Sequence, residues 1–231
     1  MTPRSLPGAL SALLLLGACA HIKPARMALP EALAGDAARF EELPLQGLGG
    51  KARGDFRLAD AGGRFERSAS RLELFSASLN FDRASASYTL QQGAAAPVQA
   101  ECRARRTEVQ RSALALPVRP FTVDCDWRDG AKLKLDAEVL AAGGTQEARK
   151  GRYESGGVVL ELRSVHQLQG TKWPLAQPAG YTLMQDGVAV GALELTGVTP
   201  RLWRPRAATP QQEAVTRAAI ALALLWDPAN S

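Results

Sequence analysis

The chain has 231 residues, of which 46% are hydrophobic and 22% charged, and it carries a formal net charge of +5. This is the composition of a folded domain with one good core, and it excludes a disordered or low-complexity polymer. Two histidines, three cysteines and the absence of any CxxC or Cys/His cluster exclude a zinc site of the usual kinds, so no metal and no other cofactor is expected.

The leader comes first. Arg4 supplies a positive start, Ala9 to Leu16 form a short apolar run, and small residues follow. This is the layout of a secretory signal peptide, too short to span a membrane. Its end, Leu16-Gly17-Ala18-Cys19, resembles the lipobox of bacterial lipoproteins at all four positions. The resemblance covers the leader alone. It implies removal of residues 1–18, acylation of Cys19 as the first mature residue, and anchoring to a membrane through the acyl chains. Two or three chains meet the need for more than one lipid in a stable anchor. Ala20 follows the cysteine where an inner-membrane lipoprotein of the well-studied kind carries Asp, so the expected place is the bacterial outer membrane, facing the periplasm. Loss of Arg4 with the leader lowers the +5 to +4. That mild charge suits an anionic lipid head group or the acidic face of an envelope protein, and the compartment argues against nucleic acid.

With Cys19 lipidated, Cys102 and Cys125 remain as a pair in an oxidising compartment. Cys102 shares its phase with Ala100 and Ala104, and Cys125 with Phe121, Val123 and Trp127. A disulfide between neighbouring strands is expected; two buried free thiols are the alternative. The bond would close a loop of about 24 residues and contribute about 3 kcal/mol in the chain-entropy picture.

Residues 19–44 are rich in Ala, Pro and Glu and punctuated by Pro24, Pro30 and Pro44. They read as a lipidated tether, with room for one short helix between Glu31 and Leu43. From residue 45 the dominant period is two. Leu133, Leu135, Ala137 and Val139 fall on one face, with Lys132, Lys134, Asp136 and Glu138 on the other. Gly62-Gly63, Gln92-Gly93, Asp129-Gly130, Gly143-Gly144, Gly156-Gly157 and Asp186-Gly187 separate the runs. The spacing predicts about ten to twelve short strands joined by tight turns. No helix-sized segment interrupts them, which excludes a parallel α/β sheet. Thr209-Pro210-Gln211-Gln212 then opens a helix over 210–226, with threonine as cap and Gln212 able to reach back. Ala218 to Trp226 carries no polar side chain, and a helix apolar all round is buried all round.

The expected fold is therefore mostly β: one domain over 45–226, an antiparallel meander barrel of about ten to twelve strands with a buried apolar C-terminal helix. That element order, with Ala214 to Trp226 as its last member, resembles the tubby-like barrel shared by the phospholipid scramblases and LURP-one-related proteins. The resemblance implies a helix threading the barrel axis. Tubby domains bind phosphoinositides through surface basic residues, but no position here matches theirs. A lipocalin-like open barrel, with the helix outside the wall, is the other architecture.

Chemistry is sparse. His21 lies in the tether. Ser164 and His166 share a strand phase with Asp124 as a conceivable acid, but same-face neighbours stand about 7 Å apart, too far for nucleophile and base. His166 is therefore read as a core or rim residue with a backbone partner, and no catalytic residue is assigned. Gly47-Leu48-Gly49-Gly50-Lys51 lacks the phosphate-loop spacing. Asp124, Asp126 and Asp129 lack the loop glycine and the closing acid of a calcium site. The densest basic cluster, Arg103, Arg105, Arg106 and Arg111, is the candidate surface-binding set; a charge-guarded strand face is the plain alternative. The expected function is a membrane-anchored, non-catalytic binding or structural lipoprotein of the cell envelope. The alternatives are a carrier of an apolar ligand or lipid inside the barrel, and an envelope hydrolase.

Overall fold

The structure, a computed structural model, describes residues 25–74, 79–111, 114–138 and 147–225. The leader, the lipobox with Cys19, and Trp226 lie outside the described residues. The elements in chain order are α1 (Glu31–Ala34), β1 (Phe40–Pro44), β2 (Arg53–Leu58), β3 (Ala61–Leu74), β4 (Leu79–Gln92), β5 (Val98–Arg111), β6 (Leu114–Trp127), β7 (Lys132–Ala137), β8 (Arg149–Ser155), β9 (Val158–Val165), β10 (Gly180–Gln185), β11 (Val188–Glu194), β12 (Arg201–Pro205) and α2 (Pro210–Leu224).

From β2 to β12 every strand pairs antiparallel with the next, and β1 adds beyond β12. Gln46 and Arg57 exchange backbone hydrogen bonds of 2.9 and 3.1 Å, so the chain leaving β1 touches β2 at the far edge. The sheet is thus a nearly closed twelve-stranded barrel. Alternation builds it: in β7, Leu133, Leu135 and Ala137 are buried and Lys132, Lys134 and Asp136 exposed, as their period of two requires. The tight turns follow their sequence signals. Asp186 and Gly187 both take positive φ (51° and 78°), which the two central residues of a type I′ hairpin need.

Helix α2 lies inside this wall. Val215, Thr216, Ala218, Ala219, Ile220, Ala221, Leu222 and Leu224 cover the whole circumference of the helix and are all buried. All but Thr216 belong to one cluster with the inward residues of the strands, and α2 packs against β4, β8, β9, β11 and β12, from both sides of the barrel. The small residues let the wall approach: a Cβ on Gly191 would stand 2.5 Å from Val215 Cγ1. Thr209 caps the helix, accepting from Gln212 N at 3.3 Å, and Pro210 sits in the first turn. The reciprocal half of the expected capping box is absent. Gln212 Nε2 donates instead to Arg206 O at 3.4 Å. At the other end Arg67 supplies the cap: its Nη1 donates to Leu224 O at 3.4 Å, its Nε to Lys51 O at 2.9 Å and its Nη2 to Gly49 O at 2.6 Å. One buried guanidinium thus holds the helix terminus and the β1–β2 loop together, satisfying carbonyls that the helix leaves open.

Arg204 does the same work near the helix start. Its Nε donates to Glu41 Oε1 at 2.9 Å, Nη1 to Thr216 Oγ1 at 3.1 Å and Nη2 to Asp60 Oδ1 at 2.5 Å. An aromatic ladder of Phe56, Phe65, Tyr88, Trp127 and Tyr153 fills the wall, with ring centroids 5.4 to 6.5 Å apart and mostly edge-to-face. Cys102 and Cys125 stand directly opposite on β5 and β6, with Cα atoms 4.0 Å apart, and are joined by a disulfide.

The tether reading needs correction for residues 25–44. Far from standing free, this segment contains α1 and β1 and covers the outer face of β11 and β12. Met27, Leu33 and Phe40 form a second small core with Ala192 and Trp203 there. Those outward apolar side chains need a cover, and the N-terminal segment supplies it. The barrel domain therefore begins before Leu45.

Candidate functional site

The outer wall of β3 to β6 carries the candidate site. Outward positions run in cross-strand rows fixed by the register. One row is Ser70, Arg83, Arg105 and Thr122; the next is Ser68, Ser85, Arg103 and Asp124. The twist of these long strands makes the wall concave, and the rows, apart from Asp124, which lines the neighbouring groove, line a groove of 860 Å³. Ser68 and Ser85 share a hydrogen bond of 2.9 Å at its edge.

Charge distinguishes this groove from its neighbour. A second groove on the same wall, of 820 Å³, carries both signs, with Arg53 3.8 Å from Glu66 and Arg64 3.5 Å from Asp55. The outward arginines that line the first are Arg83, Arg103 and Arg105, with Asp82 as the one carboxylate among its described lining. Asp82 faces inward, is fully buried and is held by Arg71 Nε at 2.7 Å, so it gives the groove surface no counter-charge. Arg103 lies 3.3 Å from Glu101. Arg83 and Arg105 are exposed, stand directly opposite one another, and form no ion pair with a described residue. Like charges in that position repel. An anion between them would relieve the repulsion, and guanidinium forks with serine and threonine hydroxyls beside them are the donor set that takes a phosphate.

The sequence-derived set therefore divides. Arg103 and Arg105 share the groove. Arg106 does not join them: it points to the barrel interior, where its Nη2 meets Glu147 Oε2 at 3.1 Å and also Glu108. Alternation alone dictates this, since Arg106 keeps the inward phase of Cys102 and Ala104. The side chain of Arg111 lies outside the described residues. Arg83 is the member that sequence reasoning missed. Its signal was the twin runs Arg67-Ser68-Ala69-Ser70-Arg71 and Arg83-Ala84-Ser85-Ala86-Ser87, whose register could be set only by the hairpin.

Inside the same end of the barrel lies a layer of charge. Glu147 Oε1 accepts from Arg149 Nε at 2.9 Å and Nη2 at 2.7 Å, and Arg149 Nη1 donates to Tyr181 Oη at 3.2 Å. His166 and Ser164 lie at its rim, and the expected separation of this pair is wrong. Ser164 Oγ is 3.0 Å from His166 Nε2; β9 ends at Val165, so His166 is no longer held to the strand's alternation. His166 Nδ1 donates to Leu175 O at 2.9 Å, the backbone partner expected of it. With Nδ1 as donor to the carbonyl, Nε2 is the ring nitrogen that faces the serine hydroxyl. Ser164 Oγ in turn accepts from Arg149 N at 2.8 Å. Asp124 is exposed on the outer face and takes no part.

Among the described residues no group of His, Cys, Asp and Glu is placed to hold a metal, and no helix is long and apolar enough to cross a membrane. The outer wall of β5 to β9 is studded with Arg, Lys, Asp and Glu where a membrane-spanning barrel would present an apolar band. Compared with protein-family models, curated proteins and solved structures, the chain finds no match in any of the three.

Proposed function

We propose that this chain is a lipid-anchored protein of the bacterial cell envelope that works as a non-catalytic binding module, taking a phosphate-bearing ligand on the outer groove of β3 to β6. The facing, uncompensated guanidiniums of Arg83 and Arg105 carry this reading. The lipobox at Leu16 to Cys19 supports the anchor and the outer-membrane address. The filled interior favours a binding surface over a cargo space: α2 occupies the axis where a carried lipid would lie. The order of elements keeps its resemblance to the tubby-like barrel, whose members use basic surface residues toward phosphorylated lipids.

Calorimetric titration with inorganic pyrophosphate tests the groove. Saturable binding is expected, weakened at least tenfold in Arg83→Gln/Arg105→Gln and weakened by added salt. Equal titrations of the two proteins would refute the assignment.

A hydrolase is the second reading, favoured by the Ser164–His166 contact. It predicts that Ser164 is labelled by a fluorophosphonate and that labelling is lost in His166→Ala. Equal labelling, or none, removes it.

A further inference from the structure

Five large apolar side chains stand exposed among the described residues: Leu72, Trp173, Leu175, Val188 and Val198. Four share one end of the barrel. Antiparallel topology puts the end of β3, the β9–β10 loop and the β11–β12 loop at that end, and Val188, the first residue of β11, at the opposite end. Trp173 is 84% and Val198 88% exposed. Isolated exposed apolar residues are ordinary, but their gathering at one end is not.

The described chain begins at that same end. Arg26 O accepts from Gln169 N at 2.8 Å, four residues before Trp173. Ala25 O accepts from Thr196 Oγ1 at 2.9 Å, two residues before Val198. Only five residues lie between Cys19 and Ala25, a reach of about 20 Å over six Cα–Cα steps at full extension. A lipid on Cys19 therefore holds this end against the bilayer, while the opposite end lies a helix length of about 22 Å further away. Lys51 and Lys172 are exposed at the same rim and suit anionic head groups. Tryptophan beside lysine is the pair that settles at a membrane interface.

We infer that this rim docks on the head-group layer of the membrane, with Trp173 and Val198 as its inserted side chains. The inference rests on the anchor reading. It implies a fixed orientation, with the barrel standing on the membrane and the Arg83–Arg105 groove opening sideways near its surface.

The test uses the full mature protein in vesicles of phosphatidylethanolamine and phosphatidylglycerol with acyl-brominated lipid. Bromine is expected to quench the wild type at least twofold more than Trp173→Phe, because the other tryptophans are common to both proteins. Identical quenching in the two would overturn the docking surface. Intact mass reads the anchor separately: absence of acyl chains on Cys19 sinks the anchor reading. The rim is then measured on protein coupled through the Cys19 thiol to a maleimide lipid, with the same two outcomes.

Discussion

Gly191 lets the barrel wall come close to Val215 of the helix inside it: a Cβ built on Gly191 stands 2.5 Å from Val215 Cγ1 and 3.0 Å from Trp203 O. Neither neighbour is a flexible chain end. Gly191→Val should therefore lower stability by about 1–3 kcal/mol through overpacking. Urea denaturation of the two proteins measures it, and Gly191→Val/Val215→Ala should recover part of the loss. An unchanged midpoint would mean that the helix does not touch this strand.

Arg204 joins β1, the β2–β3 turn and α2 through one guanidinium, itself almost fully buried. Arg204→Met leaves Glu41 and Asp60 without their cation. Both carboxylates keep some access to water, which moderates the penalty from the 3–5 kcal/mol of a fully buried pair to about 2 kcal/mol. Thermal unfolding reads this as a lower Tm.

The Cys102–Cys125 disulfide links neighbouring strands at directly opposed positions, with a separation of 23 residues. Reduction should cost about 3 kcal/mol by releasing the unfolded chain. Urea curves with and without dithiothreitol test it, with Cys102→Ala/Cys125→Ala as the control that no longer responds to reductant.

Two pH limits follow from α2 and its surroundings. Burial works against the Asp129 carboxylate, but Arg217 and the Ala131 N–H outweigh it, and its pKa falls below the ordinary value. A depressed folded pKa contributes stability above the unfolded value near 4, lost as pH falls through the folded one. Asp129→Asn should flatten the acid side of the stability profile. Burial pushes Tyr88 well above its ordinary range and Tyr153 above it, the latter against the opposing influence of Ser155 and Arg217. A raised folded pKa gives stability that is full below the unfolded value near 10 and is lost as pH rises beyond it. Phenolate absorbance at 295 nm should therefore rise in step with alkaline unfolding, and Tyr88→Phe should shift that unfolding upward.

Much of the fold was legible because period two and a wholly apolar helix are strong signals. Lys132 to Ala137 alternates as read, Cys102 and Cys125 meet on the phase that their neighbours define, and the segment from Ala218 is buried on every side. What escaped depends on tertiary contact. The short helix α1 falls at Glu31–Ala34, within the span that left room for one, but β1, with five residues ending at Pro44, is too short to announce itself, and the segment gains its place by covering Trp203 and Ala192. The Ser164–His166 contact escaped because alternation was carried one residue beyond the end of β9. Arg106 was grouped with Arg103 and Arg105 by nearness in sequence, although its phase already turned it inward. Arg83 needed the register of β4 on β5.

Hydrogen exchange of the α2 amides between Ala214 and Leu224 tests the central claim, that the helix is the core of the barrel and leaves its outer surface to do the binding. The account predicts protection equal to that of the innermost strands β6 and β7, with opening only on global unfolding. Exchange of those amides at a rate far above the strands, in a barrel that stays folded, would contradict it.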